Sequence, residues 1–314
     1  MQSIPSVDLR EFLSEDSSRK QQFVKDIGAA FSDIGFVALK GHFLENDLVS
    51  NLYSEIEQFF QLENRSKYEI PGIGGQRGFV SFGKEHAKGR SEGDLKEFFH
   101  FGQYLSEGSK YESMYPPNVT VTELPNFNAV GKEVYQKLEM TGVVVLRALA
   151  LFLELDEHYF DNLVKDGNSI LRPIYYPGIK EDPKSAVRAA AHTDINLITL
   201  LMGAQGPGLQ VQNHNGDWID ATAQPHELMI NVGDMLSRLT NNKLKSTVHQ
   251  VINPPKELMA FPRYSVPFFM HPVCDMSLNC LERCVDEANP KLFTDTSAGE
   301  YLRERLIELG LIKI

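Results

Sequence analysis

The feature that most constrains this chain is a change of texture near Leu171. Beyond it, short apolar and β-branched runs follow one another at residues 174–177, 187–194, 196–202, 209–212, 218–220, 228–232, 247–252 and 264–271. Turn signals such as Gly206-Pro207-Gly208, Asn213-His214-Asn215-Gly216 and Asn253-Pro254-Pro255 separate them. Glycine and proline at such places interrupt helix and supply tight turns, so the runs read as strands. Many short strands with turns between them predict a jelly roll or barrel-like double sheet. The part before residue 166 differs. Residues 18–34 repeat Phe23, Ile27, Ala30, Phe31 and Ile34 at helical spacing, and Gly35 supplies a stop. A strand at 36–39 and a helix capped by Asn46 follow, then a long apolar helix over about 130–155. Between 70 and 125 the periodicity fades, as expected of an irregular segment covering a site. The expected fold is α+β with a mainly β core. Residues 1–165 form a helical and αβ part, 166–297 the jelly roll and 298–314 a closing helix, in one integrated domain.

Chemistry concentrates in the run Ala189-Ala190-Ala191-His192-Thr193-Asp194. In a strand, side chains alternate faces, so His192 and Asp194 project to one side and Thr193 to the other. A hydrogen-bonded pair at a core edge is the plain alternative. His249, in the β-branched run Ser246-Thr247-Val248-His249, offers a third ligand. Two histidines and one carboxylate suit non-haem Fe(II) with open positions. Zinc accepts the same donors, so ligand identity does not choose between them. In the next strand Arg263 and Ser265 share a face. A guanidinium in an apolar strand needs an anion, because an unpaired buried charge is costly. A ligand carboxylate meets that need; so would Asp234.

The 314 residues, 42% apolar and 23% charged, are those of a soluble globular protein. A net charge of −11 argues against nucleic-acid or anionic-membrane partners, which favour basic faces. Cys274, Cys280 and Cys284 are odd in number and lack zinc spacing, and no stretch of about 18 apolar residues occurs. The N-terminus has no signal-peptide pattern, so a cytoplasmic protein with reduced thiols is expected. The oligomeric state is not legible.

Taken together, these motifs resemble the isopenicillin N synthase-like branch of the Fe(II)/2-oxoglutarate-dependent oxygenases. The resemblance spans nearly the whole chain. It rests on Ile34-Gly35-Phe36-Val37, on residues 81–89 with Asp94-Leu95-Lys96-Glu97-Phe98-Phe99, and on His192-Thr193-Asp194, Ser246-Thr247-Val248-His249 and Arg263-Tyr264-Ser265. It implies a double-stranded β-helix with Fe(II) held by His192, Asp194 and His249. It also implies 2-oxoglutarate held at its distal carboxylate by Arg263 and Ser265, with Tyr176 beside it and O2 as the oxidant. Ile174 stands where many relatives carry asparagine, so one hydrogen bond near Tyr176 is expected to be missing. The implied reaction oxidises, and most simply hydroxylates, a small molecule while releasing succinate and CO2. Phe79, Phe82, His100, Phe101 and Tyr104 are the candidate substrate contacts, and Arg77 and Arg172 could meet an acidic one. Three alternatives stay open: an iron oxidase that uses no 2-oxoglutarate, a metal-bound sensor without turnover, and a zinc hydrolase.

Overall fold

The computed structural model describes residues 3–84, 95–179, 187–202, 208–224 and 226–308. Its helices are α1 (Leu9–Phe12), α2 (Ser17–Asp33), α3 (Asn46–Gln61), α4 (Pro125–Phe152), α5 (Asp161–Val164), α6 (Asp234–Leu239) and α7 (Ala298–Glu308). The first strands are β1 (Ser6–Asp8), β2 (Phe36–Lys40), β3 (Gly78–Val80), β4 (Glu97–Gly102), β5 (Ile170–Leu171) and β6 (Ile174–Tyr176). They are followed by β7 (Ala189–His192), β8 (Ile198–Met202), β9 (Leu209–Gln212), β10 (Trp218–Asp220), β11 (Leu228–Val232), β12 (His249–Val251) and β13 (Arg263–Met270).

A major sheet runs β1-β2-β11-β8-β13-β5-β4-β3, with β6 pairing both β13 and β4; a minor sheet runs β10-β9-β12-β7. Strand alternation gives the major sheet two unlike faces. Val37, Leu39, Ile230, Leu200, Val266 and Phe268 point to one side and share a continuous core with Phe31 of α2, Phe59 of α3 and Leu149 of α4. The opposite face lies under the minor sheet, where Phe36 and Met229 pack against Val211 and Ala221. The result is a double-stranded β-helix with helices on its outer side.

The N-terminal part enters this core directly, because β2 lies between β1 and β11. Gly35 makes the step from α2 into β2 with φ +73°, and a Cβ there would stand 2.2 Å from the Lys245 carbonyl. A side chain would therefore be excluded twice, by backbone conformation and by space.

Three expectations change. The strand expected over 187–194 stops at His192, and its successor starts at Ile198. Residues 193–197 are clamped in a non-strand path instead: Asp234, Met235 and Gly233 donate backbone hydrogen bonds to the carbonyls of Asp194, Ile195 and Leu197. The segment 70–125 contains β3 and β4, which extend the major sheet. Both faces of β4 are buried, so its aromatic run shows no polar alternation in sequence. Finally, α3 has Glu45 rather than Asn46 at its N-cap position, with no side-chain cap. Gly206-Pro207, residues 85–94 of the family-like stretch, including His86, and the expected end of the last helix at Leu309 lie outside the described residues.

Candidate metal and keto-acid site

The two histidines meet because β7 and β12 are antiparallel neighbours in which His192 and His249 are direct cross-strand partners. Their ring centroids are 4.4 Å apart. Asp194 arrives from the clamped loop, with Oδ1 3.9 Å from His192 Nε2 and 3.7 Å from His249 Nε2. One donor atom from each of the three lies within 4.8 Å of the others, a spacing that fits one metal ion.

Each ligand is oriented from behind. His192 Nδ1 faces the Ala190 carbonyl at 2.7 Å and His249 Nδ1 the Thr247 carbonyl at 3.1 Å. With the proton on Nδ1, the Nε2 lone pairs are left to converge on the metal position. Asp194 Oδ2 accepts from Thr199 Oγ1 at 2.6 Å and Asn231 Nδ2 at 2.8 Å, which leaves Oδ1 turned to the histidines. The protonation states match this arrangement. The surrounding protein, and after it the His249 imidazole, hold His192 down at about 4. Asp194 lies below the ordinary carboxylate range: burial opposes ionisation, but His249, His192 and the two hydrogen bonds outweigh it. Neutral imidazoles beside a carboxylate are what ligation requires.

By strand parity Arg263 and Ser265 of β13 face the inner side, opposite to Val266 and Phe268, and both are buried. Arg263 pairs across the ladder with Tyr176, and its guanidinium lies 5.1 Å from the Tyr176 ring centroid. Its Nε and Nη1 have no hydrogen-bond partner among the described residues. Asp234, the protein carboxylate that might have satisfied it, accepts instead from Ser246, Thr193 and Tyr301. Thr193, on the far side from the metal position, thus ties the ligand loop to α6 and α7. A buried guanidinium with donors unspent is a socket for an external carboxylate.

The candidate substrate contacts divide. Phe79 and Phe101 sit on the outer face, packed on Phe59 and Phe127, and are corrected to core residues. Tyr104 lies edge-on to Tyr135 with Lys132 over its ring, and Phe82 is exposed. His100 does face inward. Its Nε2 takes a hydrogen bond from Arg172 at 2.5 Å, its Nδ1 faces the Gly75 carbonyl, and Arg172 lies over Phe98 and Phe269. Arg77 is fully buried and donates to Gln76 and Asn168. Sequence reasoning passed over Thr199, Asn231 and Arg188. Asn231 left a visible signal, a lone amide inside the apolar run Leu-Met-Ile-Asn-Val.

Residues 167–272 match the 2OG-Fe(II) oxygenase superfamily, and residues 4–123 the family described as non-haem dioxygenase in morphine synthesis, N-terminal. The proline hydroxylase buaE of Petromyces alliaceus is 30% identical, covering 97% of this chain and 99% of its own. The chain belongs to the 2-oxoglutarate-Fe(II) oxygenase superfamily. Solved oxygenases agree. A family member from Caulobacter crescentus superposes with a TM-score of 0.89 at 39% identity over 98% of this chain and 99% of its own. A full-length Neurospora crassa protein solved in complex with alpha-KG gives 0.85 at 30% identity over 97% of this chain and 95% of its own. The protein is accordingly a non-haem iron dioxygenase that uses Fe(II), 2-oxoglutarate and O2. A small-molecule substrate is consistent with this family. No helix among the described residues is long and apolar enough to cross a membrane.

Proposed function

We propose that His192, Asp194 and His249 hold the Fe(II), that Arg263 and Ser265 hold the distal carboxylate of 2-oxoglutarate beside Tyr176, and that the outcome is hydroxylation of a small molecule. The observation that carries the co-substrate assignment is Arg263, buried with Nε and Nη1 unspent while Asp234 is engaged elsewhere. Iron bound there supplies the oxidising chemistry that couples decarboxylation of 2-oxoglutarate to attack on a C–H bond. The protein's part is positional. Thr199 and Asn231 fix the Asp194 carboxylate, and the Ala190 and Thr247 carbonyls fix the imidazoles. Hydroxylation is favoured by the relative named a proline hydroxylase. The helical N-terminal part and the β-helix share one core, which supports one integrated domain. Three free thiols support a reducing, cytoplasmic setting.

The test is succinate formation with Fe(II) and 2-oxoglutarate supplied, alongside tight 2-oxoglutarate binding by the Mn(II)-loaded protein. Both are expected in the wild type. Wild-type 2-oxoglutarate binding that survives Arg263→Leu unchanged would overturn the assignment of the carboxylate socket.

A further inference from the structure

Arg188 is the group in this cavity that the iron and 2-oxoglutarate assignments leave without a role. It sits in the bend that immediately precedes β7, and its guanidinium lies beside Tyr176, the cross-strand partner of Arg263. It is 97% buried, with relative exposure of 3%. Its Nη2 reaches the Phe261 carbonyl at 3.3 Å, and its backbone N–H is held by Asn253 Oδ1 at 3.1 Å. Its Nε has no hydrogen-bond partner among the described residues. The guanidinium lies 5.8 Å from the Tyr176 ring centroid, the ring that Arg263 also approaches.

Two arginines around one tyrosine repel each other, and burial adds to the cost of the charge on Arg188. An anion bound between them would offset that cost. Arg263 already accounts for the keto acid. The Leu95 N–H donates to the Val187 carbonyl at 3.3 Å, which ties the chain entering β4 to the residue before Arg188. Tyr176, which both arginines approach, belongs to a small apolar cluster with Val80, Phe98 and Ile174 that is separate from the main core, and Arg172 lies over Phe98. Cationic groups therefore border an apolar patch.

We propose that Arg188 is a specificity-determining residue that binds a carboxylate of the prime substrate, and that the oxygenase acts on small carboxylic acids whose apolar body rests on Val80, Phe98 and Ile174. The guanidinium, held at Nη2 by the Phe261 carbonyl while Asn253 anchors the backbone, presents its unspent N–H to the acid and so fixes which carbon faces the iron. This rests on the assignment of Arg263 to 2-oxoglutarate. The same carboxylate chemistry could come from 2-oxoglutarate itself, and the test separates the two sources.

The Mn(II)-loaded protein, saturated with 2-oxoglutarate, would be titrated calorimetrically with small carboxylic acids, each paired with its own primary amide, L-proline with L-prolinamide and benzoate with benzamide among them. In the wild type at least one acid is expected to bind about tenfold or more tighter than its amide, as a charge-assisted hydrogen bond requires. Arg188→Gln should erase that preference, Arg188→Lys should restore part of it, and the 2-oxoglutarate Kd should move far less than the acid Kd. The proposal is overturned if no acid outbinds its amide, if the preference persists in Arg188→Gln, or if the variant loses 2-oxoglutarate instead. Failure of the wild type to bind 2-oxoglutarate at all would strike the co-substrate assignment, not this one. Bound 2-oxoglutarate in each variant also reports that it has folded.

Discussion

The two faces of the major sheet are built from the same strands and differ in everything else. On β8, Leu200 goes outward to the helices while Thr199 goes inward to Asp194; on β11, Ile230 goes outward and Asn231 inward; on β13, Phe268 goes outward while Arg263 and Ser265 go inward. The outer face is held by apolar burial, which tolerates any group of the right shape. The inner face holds buried polar groups whose cost is met by named partners or, for Arg263, by a ligand yet to arrive. One residue of parity separates the two roles, so stability and chemistry can be damaged independently.

The sharpest way to break that separation is Asp194→Ala on the inner side. Iron retention and succinate formation should both be abolished, measured by metal analysis and turnover, while helix content is kept; an iron-replete active variant would refute the site. On the outer side, Phe268→Ala removes a fully buried ring and should cost about 3–5 kcal/mol in denaturant unfolding. In the folded fraction its 2-oxoglutarate Kd should be unchanged, and a large shift there would show that the faces are coupled. Arg263→Leu is the inward counterpart on the same strand. It should weaken 2-oxoglutarate by about 2 kcal/mol or more, roughly thirtyfold in Kd, with little loss of iron.

Smaller effects refine the contrast. Thr199→Val and Asn231→Leu each remove one of the two hydrogen bonds to Asp194 Oδ2 and should weaken iron by roughly 10- to 100-fold, seen as faster loss to a chelator without a change in melting of the same sign and size. The smallest concerns pH. His271, buried at the end of β13, is held at about 4 by burial, as His192 is by its surroundings, against an ordinary value of 6.5. Both are neutral when folded and charge more readily when unfolded, so the unfolded chain binds more protons between about pH 4 and 6.5. Metal-free protein should therefore lose stability as pH falls through that window. A melting temperature that is flat from pH 7 to 5 would contradict the neutral assignments.

Much of this was legible in the chain itself. Period-two runs with turns between them dictate a closed double sheet, and β9, β10 and β11 fall where the pattern puts them. The sequence also marks His192, Asp194 and His249 as donors and Arg263 as a cation needing an anion, because those residue types are anomalous in apolar strands. Tertiary structure decided the rest. Asp194 reaches the histidines through a clamp from Gly233, Asp234 and Met235, 39 to 41 positions away by their numbering, and no strand parity could reveal it. Phe79 and Phe101 belong to the core and His100 to the cavity, although all three sit in one aromatic-rich segment, because the helices cover only one face of β3 and β4. Arg188 looks like any arginine before a strand until the fold closes over it. Local pattern sets which elements form; only the closed sheet sets which of their side chains are buried together, and with them the charges that a ligand must satisfy.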